Sequence, residues 1–201
     1  MKLTKKQTEV LVGTVLGDGF LQKTGTKNAR LRLEHSDKQK EYLLWKGTQM
    51  SRIFQGKPTF LSRVHPKSGE TYSYARWQSN ASPELGVWQR YFYKEGKKTI
   101  PADIGKYLTP LTLAVWYMDD GYLSEDKSSF IYLGKISQNE SDILRYAISK
   151  NFSIEPKVYD KKNKGFALYF PVEETRKLHI LIKSLIHPSM TYKLNYNSLT
   201  L

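Results

Sequence analysis

Two related segments, one in each half of the chain, constrain the fold more than any other feature of this sequence. Residues 11–19 have the sequence LVGTVLGDG, and residues 113–121 have LAVWYMDDG. Each is about two turns of apolar helix ending in Asp-Gly, followed by an aromatic residue and leucine. A single copy would mean little, because glycine is an ordinary stop signal for a helix. Two copies indicate a pseudo-dimer whose apolar helices pack on the two-fold axis and bring Asp18 and Asp120 side by side.

The sequence after each segment repeats one coarse pattern of strands, a helix and further strands. The predicted elements are 30–34, 38–54, 59–65 and 71–77 in the first half, and 130–136, 139–151, 157–161, 166–170 and 172–186 in the second. We therefore predict an α+β chain of two pseudo-symmetric αββαββα halves, each with an antiparallel sheet. The predicted boundaries are 1–95 for the N-terminal half, 96–110 for a linker rich in proline and glycine, and 111–201 for the C-terminal half.

The two apolar helices are expected to approach closely but without strict symmetry. Gly13 and Gly17 are spaced to lie on one helix face, so the first helix can contact its partner's backbone. The second copy carries Val115 and Asp119 at the corresponding positions.

The charge of the chain indicates a polyphosphate partner. The sequence holds 32 Lys and Arg against 19 Asp and Glu, a net charge of +13. Residues 1–100 contribute 19 basic and 8 acidic side chains, and residues 101–201 contribute 13 and 11. Such an excess gains affinity for nucleic acid by counterion release, although a merely soluble basic protein is the alternative. The absence of cysteine excludes disulfides, Cys-ligated metals and thiol nucleophiles.

Neither a membrane segment nor a signal peptide is expected. No apolar run approaches the roughly 18 residues that a membrane span needs, and no small-residue cleavage site follows the first one. The sequence is therefore interpreted as a complete intracellular protein.

The juxtaposed aspartates predict a metal site. Two carboxylates at helix C-termini, where the helix dipoles disfavour negative charge, repel one another unless cations lie between them. Mg²⁺ is the hard, oxygen-binding ion that such a site would recruit. Beside a duplex, bound Mg²⁺ can polarise phosphoryl oxygens and lower the pKa of water, which is the chemistry of phosphodiester hydrolysis.

The two segments resemble the paired LAGLIDADG motifs of homing endonucleases, in the monomeric two-motif form that group I introns encode. Residues 97–101, 107–111 and 191–194 extend the resemblance over nearly the whole chain. It implies a concave saddle of two antiparallel sheets in the DNA major groove, with the motif helices packed at its centre. It also implies a site-specific double-strand endonuclease that cuts across the minor groove of a long asymmetric site and leaves 3′ overhangs.

By its motif positions, the resemblance implies which residues form the active site. The catalytic residues would be two aspartates and two lysines: Asp18, Asp120, Lys98 and Lys193. The aspartates would bind Mg²⁺, or Mn²⁺ as the alternative, together with the preceding residues Gly17 and Asp119. For the Asp119 side chain itself, a packing or capping role is favoured. The lysines would order the attacking water or balance charge on the phosphate.

Strand alternation predicts which side chains face DNA. They are Arg30, Arg32, Glu34, Tyr72, Tyr74, Arg76 and Gln78 in the first half, and Lys157, Tyr159 and Lys161 in the second. Arginine can bind guanine and glutamate can accept from cytosine, but a solvated strand face remains the alternative. The register of residues 130–136 is not resolved by pattern. Two unlike half-sites predict an asymmetric double-stranded target of roughly 20 base pairs, bound by a monomer.

Two other functions stay open on the same scaffold: an RNA maturase that binds its own intron, and a catalytically silent DNA-binding regulator. Retention of both aspartates and both lysines favours the nuclease. The resemblance implies an organelle, mitochondrion or chloroplast, or a microbial cytoplasm as the location. The four histidines lack ligand spacing and are interpreted as structural or surface residues: His35, His65, His179 and His187.

Overall fold

The computed structural model describes residues 2–195, and within them the two halves repeat one order of elements. The first half consists of α1 (Lys5–Leu16), β1 (Phe20–Lys23), β2 (Ala29–Ser36), α2 (Lys40–Gln49), β3 (Thr59–Val64), β4 (Thr71–Gln78) and α3 (Pro83–Phe92). A two-stranded ladder of β5 (Tyr93–Lys94) and β6 (Lys97–Lys98) follows. The second half consists of α4 (Pro110–Asp120), β7 (Gly121–Leu123), β8 (Ser129–Gly134), α5 (Gln138–Phe152), β9 (Lys157–Asp160), β10 (Phe166–Phe170) and α6 (Val172–Ile182). Both halves are αββαββα, as predicted.

The two four-stranded sheets have equivalent topologies. Their strand orders are β1-β2-β4-β3 and β7-β8-β10-β9, and every pairing is antiparallel. Helices α2 and α3 contact the first sheet, and α5 and α6 contact the second. One face of each sheet is therefore covered by helices, and the alternation of the strands leaves polar and aromatic side chains on the other face.

The helix starts follow local capping chemistry. Thr4 and Ser137 form capping boxes with Gln7 and Glu140 before α1 and α5. Thr109 caps α4 with its hydroxyl and is followed by Pro110 in the first turn, where a missing N–H costs nothing. These caps fix where both motif helices, α1 and α4, begin.

The motif helices pack against each other at the centre of the molecule, as predicted. A Cβ on Gly13 would lie 2.5 Å from the Thr112 carbonyl oxygen and 2.8 Å from Val115 Cβ. A Cβ on Gly17 would lie 2.5 Å from the Asp119 Cβ. Each glycine thus faces its own pseudo-symmetry equivalent, and the larger residue of each pair fills the space that the glycine leaves.

Buried apolar side chains from both halves form one hydrophobic cluster. It includes Val10, Leu11 and Val15 of α1 together with Val115 and Trp116 of α4. The segment 96–110, predicted as a linker, contributes to this cluster through Ile100, Ile104 and Leu108, while the division into halves remains a prediction. In residues 2–195, every helix is too short or too polar to cross a bilayer.

Several element bounds differ from the sequence prediction for local reasons. The helix predicted at 38–54 is α2 (Lys40–Gln49), preceded by a 3₁₀ turn at Asp37–Gln39. The strand predicted at 130–136 ends at Gly134, whose φ of +68° is a left-handed conformation that suits glycine. The strands β1 and β7, directly after the motifs, are too short to show a periodicity.

Candidate active site

Asp18 and Asp120 follow the packed ends of α1 and α4, but the two helices end differently. Helix α1 ends at Leu16, so Asp18 lies outside it, whereas Asp120 is the last residue of α4. The Asp18 side chain is 48% exposed, and Asp120 is half-buried. The two carboxylates therefore occupy equivalent places in the repeat and different physical environments.

Two lysines bind the C-terminal carbonyls of the motif helices in a pseudo-symmetric way. Lys98 Nζ donates to the carbonyl oxygens of Leu16 at 3.1 Å and Gly17 at 3.0 Å. Lys193 Nζ donates to those of Met118 at 2.6 Å and Asp119 at 2.9 Å. A cation at a helix C-terminus interacts favourably with the helix dipole and satisfies carbonyls that the helix leaves free. The structure thus brings both predicted lysines to the ends of the helices that carry the aspartates.

Lys193 is held in place by a buried chain of hydrogen bonds. The Tyr117 hydroxyl donates to the Lys193 carbonyl oxygen at 2.9 Å, and His179 Nε2 lies 3.0 Å from the same hydroxyl. His179 Nδ1 accepts from the Asn195 amide at 3.1 Å, so Nε2 carries the proton and donates to Tyr117. Burial lowers the pKa of His179 to about 4, which keeps the ring neutral. His179 is structural, as predicted.

The aspartates are protonated more readily than ordinary carboxyls. Burial, followed by the charges of Asp18 and Asp119, raises the pKa of Asp120 to about 7, although Lys98 and Lys193 act against it. Desolvation and the Asp119 carboxylate also raise the pKa of Asp18. The crowding of like charges is the electrostatic condition that a bound divalent cation relieves.

Asp119 forms a buried ion pair that the sequence did not predict. Lys46 Nζ of α2 lies 2.5 Å from Asp119 Oδ1 and 2.7 Å from Oδ2, and both side chains have 0% exposure. Asp119 Oδ2 also accepts a hydrogen bond from the Asp18 amide at 3.2 Å. The Asp119 carboxylate thus ties α4 to α2 and to the end of α1. This agrees with the packing or capping role favoured for that side chain.

The surroundings of Lys46 stabilise its charge. His35 Nε2 lies 3.1 Å from Lys46 Nζ and accepts its third proton, and the Tyr42 ring centroid lies 4.5 Å away. Burial, followed by the Lys46 charge, lowers the pKa of His35 to about 3, so the neutral ring accepts at Nε2. The Tyr42 hydroxyl donates to the Val115 carbonyl oxygen at 3.1 Å. This cluster joins α2 to α4 through polar contacts in the protein interior.

One group of metal-binding side chains occurs within residues 2–195: ligand atoms of Asp18, His35 and Asp119 lie within 4.8 Å of one another. The Lys46 ammonium already contacts the last two of these residues. The Asp119 carboxylate and His35 Nε2 are therefore occupied by an internal cation, whereas His35 Nδ1 lies 3.2 Å from Gln39 Oε1 and 3.9 Å from the partly exposed Asp18 carboxylate.

The exposed face of the first sheet carries the predicted polar residues, several of which are hydrogen-bonded to one another. Glu34 Oε2 accepts from Arg32 at 2.7 Å and from Arg76 at 2.8 Å. Arg30 Nε donates to Gln22 Oε1 at 2.9 Å. The pairings of β1 with β2, β2 with β4 and β3 with β4 place all the predicted first-half residues on this face: Arg30, Arg32, Glu34, Tyr72, Tyr74, Arg76 and Gln78. The sequence prediction missed Gln22 and also Arg63, which pairs with Tyr72.

The corresponding face of the second sheet is aromatic rather than basic. Cross-strand pairing and ring contacts bring together Phe130, Tyr132, Tyr159 and Tyr169. Lys157 pairs with Tyr169, and Lys161 Nζ lies 3.9 Å from the Tyr132 ring centroid. The structure thus settles the register of β8 and adds three aromatic residues to the predicted Lys157, Tyr159 and Lys161: Phe130, Tyr132 and Tyr169.

Comparison with known proteins gives a match over most of the chain. The model of the LAGLIDADG DNA endonuclease family matches residues 8–178. A solved structure described as the homing endonuclease I-WcaI bound to its DNA recognition sequence superposes with a TM-score of 0.90 at 27% identity, covering 98% of this chain and 89% of the other.

Three curated relatives have similar identities and different lengths. A probable intron-encoded endonuclease of Wickerhamomyces canadensis is 28% identical over 97% of this chain and 86% of its own length. A cytochrome b mRNA maturase of Debaryomyces hansenii is 28% identical over 96% and 76%. The RecA protein of Mycolicibacterium flavescens is 29% identical over 96% of this chain, which spans only 47% of that protein.

Loss of the Lys46 charge should destabilise the fold strongly. We expect Lys46→Met to lower the free energy of unfolding by about 3–5 kcal/mol, because the Asp119 carboxylate is left buried without its cation. The double variant Lys46→Met/Asp119→Asn should lose less than the sum of the single losses. Urea unfolding in EDTA of the wild type, Lys46→Met, Asp119→Asn and the double variant measures the coupling between the two side chains. Strictly additive losses would contradict the ion pair, and Lys106→Met, in the exposed pair with Asp103, is the matched control.

The contribution of Asp120 to the stability of the metal-free protein should fall as pH rises. Because the pKa of Asp120 is about 7 in the folded protein and the ordinary value is 3.8, the protonated form stabilises the fold and its contribution is lost between about pH 4 and 7. We expect the stability of the wild type relative to Asp120→Asn, from urea unfolding in EDTA, to fall between pH 5 and pH 8, because the buried His35 and His179 titrate in both proteins and cancel in the comparison. Asp126→Asn is the control, since hydrogen bonds from Ser128 hold the pKa of Asp126 below its usual range. An unchanged slope in Asp120→Asn would contradict the assignment.

Proposed function

Because the chain belongs to the LAGLIDADG DNA endonuclease family, we propose that it is a site-specific endonuclease that cuts both strands of a long, asymmetric DNA target. The family, the fold class and the enzyme class expected from the sequence are confirmed. The observation that carries the proposal is the pairing of Asp18 and Asp120 at the joined ends of α1 and α4, with one lysine bound at each helix end.

The residues at this centre fit a divalent cation. Two carboxylates with raised pKa values supply hard oxygen ligands, and the Gly17 and Asp119 carbonyls lie directly beside them. Divalent-metal dependence is a property of the family, and we propose Mg²⁺ as the ion, with Mn²⁺ as the alternative. When bound, the ions would polarise the scissile phosphate and lower the pKa of the attacking water. Since the Asp119 carboxylate binds Lys46, any contribution of Asp119 to the metal comes from its carbonyl oxygen.

Lys98 and Lys193 supply positive charge from fixed positions. Burial lowers the pKa of both ammonium groups, although the neighbouring aspartates counteract it. Each ammonium is oriented by two main-chain carbonyls, so its remaining proton can donate to a phosphate oxygen or a water. We propose that the lysines balance charge on the phosphate and order the attacking water.

The uncovered faces of the two sheets would bind the DNA on either side of this centre. The guanidinium and carboxylate network of the first sheet suits base edges that carry hydrogen-bond donors and acceptors. The aromatic face of the second sheet suits apolar contacts such as thymine methyl groups. Unlike faces predict an asymmetric target of roughly 20 base pairs, bound by a single chain.

An RNA maturase is the second candidate, and the similarity to a cytochrome b mRNA maturase supports it. The nuclease is favoured because both aspartates and both lysines converge on one centre, an arrangement that RNA binding alone does not need. The silent regulator is disfavoured for the same reason. An organelle or a microbial cytoplasm is the proposed location, and the intron-encoded relative supports it.

Cleavage should require both aspartates. We expect the wild-type protein with Mg²⁺ to cut a randomised duplex library at one recurrent asymmetric site, and sequencing of the ends should show short 3′ overhangs. Asp18→Asn and Asp120→Asn should abolish cutting while they keep DNA binding, because each removes a carboxylate ligand. The control Asp37→Asn, on the turn before α2, should cut normally. Tight binding to structured intron RNA without any DNA cleavage would support the maturase instead.

The first half should supply most of the salt-dependent affinity. Residues 1–100 carry net +11 (19 basic against 8 acidic), whereas acidic side chains nearly cancel the 13 basic ones after residue 100. We expect Arg30→Gln/Arg63→Gln to reduce the slope of log affinity against log salt more than Lys157→Gln/Lys161→Gln does. Fluorescence anisotropy on the target duplex in EDTA measures both slopes. Equal slope changes from the two double variants would contradict the expectation.

A further inference from the structure

The main-chain amide of Asp18 is bound by a side chain of the other half. Helix α1 ends at Leu16. The Gly17 amide donates to the Gly13 carbonyl oxygen at 3.1 Å, and the Gly19 amide donates to the Thr14 carbonyl oxygen at 2.7 Å. The amide of Asp18, between them, donates to Asp119 Oδ2 at 3.2 Å. The Asp119 carboxylate on α4 thus accepts the hydrogen bond that a carbonyl of α1 would accept if the helix continued through Asp18.

That carboxylate is itself held in place by buried contacts. Lys46 contacts both oxygens, at 2.5 Å and 2.7 Å, and is enclosed by His35 and Tyr42. On the side of α1, Gly17 has no Cβ to displace Asp119, since a Cβ there would lie 2.6 Å from Oδ2. The acceptor for the Asp18 amide is therefore fixed in position by buried contacts.

The equivalent contact cannot form in the other direction. The residue of the first half that corresponds to Asp119 is Gly17, which has no side chain, and Asp120 belongs to the regular end of α4. The Asp18 amide thus depends on a side chain from the opposite half for its acceptor, whereas Asp120 belongs to its own helix.

We propose that Lys46 and Asp119 are positioning residues for Asp18, and that this one-sided support makes the two strands of the target respond differently to loss of the pair. The inference rests on the proposed endonuclease function. Displacement of one carboxylate affects chiefly the phosphate that it serves, because reactivity at such centres depends on sub-ångström placement. The Asp120 side of the centre keeps its geometry when the pair is removed.

The test separates positioning from folding and from binding. The variant Lys46→Met/Asp119→Ala removes both buried charges and the acceptor, so no unpaired buried charge remains. The variant Lys46→Met/Asp119→Asn keeps an acceptor of the same size. Single-turnover cleavage of the target duplex, with a different fluorophore on each strand, measures the two strand rates. Affinity in EDTA and amide hydrogen exchange at Asp18 are measured without metal.

We expect the alanine variant to change the ratio of the two strand rates by about tenfold or more, with unchanged affinity and faster exchange of the Asp18 amide. The asparagine variant should change the ratio less. The exposed pair Asp103 and Lys106, 3.2 Å apart, gives the matched control Lys106→Met/Asp103→Ala, which should keep the wild-type ratio.

Equal loss on both strands, or unchanged exchange at Asp18, would overturn the positioning role. If the alanine variant does not fold, Lys46→Met/Asp119→Leu, which has a similar branched shape and no acceptor, decides by the same ratio and the same exchange rate. A wild-type protein that never cuts DNA would contradict the proposed function instead, and the exchange measurement would still decide whether the pair orients the Asp18 amide.

Discussion

The close packing of α1 on α4 is the contact on which the rest of the structure depends. Because Gly13 and Gly17 have no side chains, α1 approaches the backbone of α4 and the two helices end at the same place. That single crossing joins the two sheets into one molecule and merges their hydrophobic cores. It also determines that two carboxylates, which would be far apart in separate domains, share one small volume at the centre.

The electrostatics of the centre follow from this crossing. Three aspartates at two helix ends would repel one another strongly. Three lysines from separate elements offset this repulsion: Lys46 on α2, Lys98 on β6 and Lys193 after α6. Only Lys46 makes a side-chain ion pair with the aspartates, while the other two bind main-chain carbonyls. The Asp18 and Asp120 carboxylates form no side-chain ion pair with these lysines, so their negative charge remains available to a metal ion.

Much of the fold was predictable because it rests on local patterns. The repeat predicted the pseudo-dimer, and strand alternation predicted the polar face around Arg30 and Arg32. Lys46 was not predictable, because a lysine within a helix is ordinarily solvated and nothing in its neighbours indicates that Asp119, in the other half of the chain, pairs with it. The register of β8 was missed because Phe130 and Tyr132 are aromatic, so apolar character does not distinguish the buried face from the open one.

The reciprocal fit at Gly17 and Asp119 makes the two halves non-interchangeable. A symmetric dimer of the second half alone would place two Asp119 side chains against each other at the crossing. In the present structure, one Asp119 side chain already fills the space beside Gly17. A dimer of the first half alone would place Gly17 against Gly17 and leave Lys46 without its counterion. The two halves are thus complementary rather than interchangeable at this crossing.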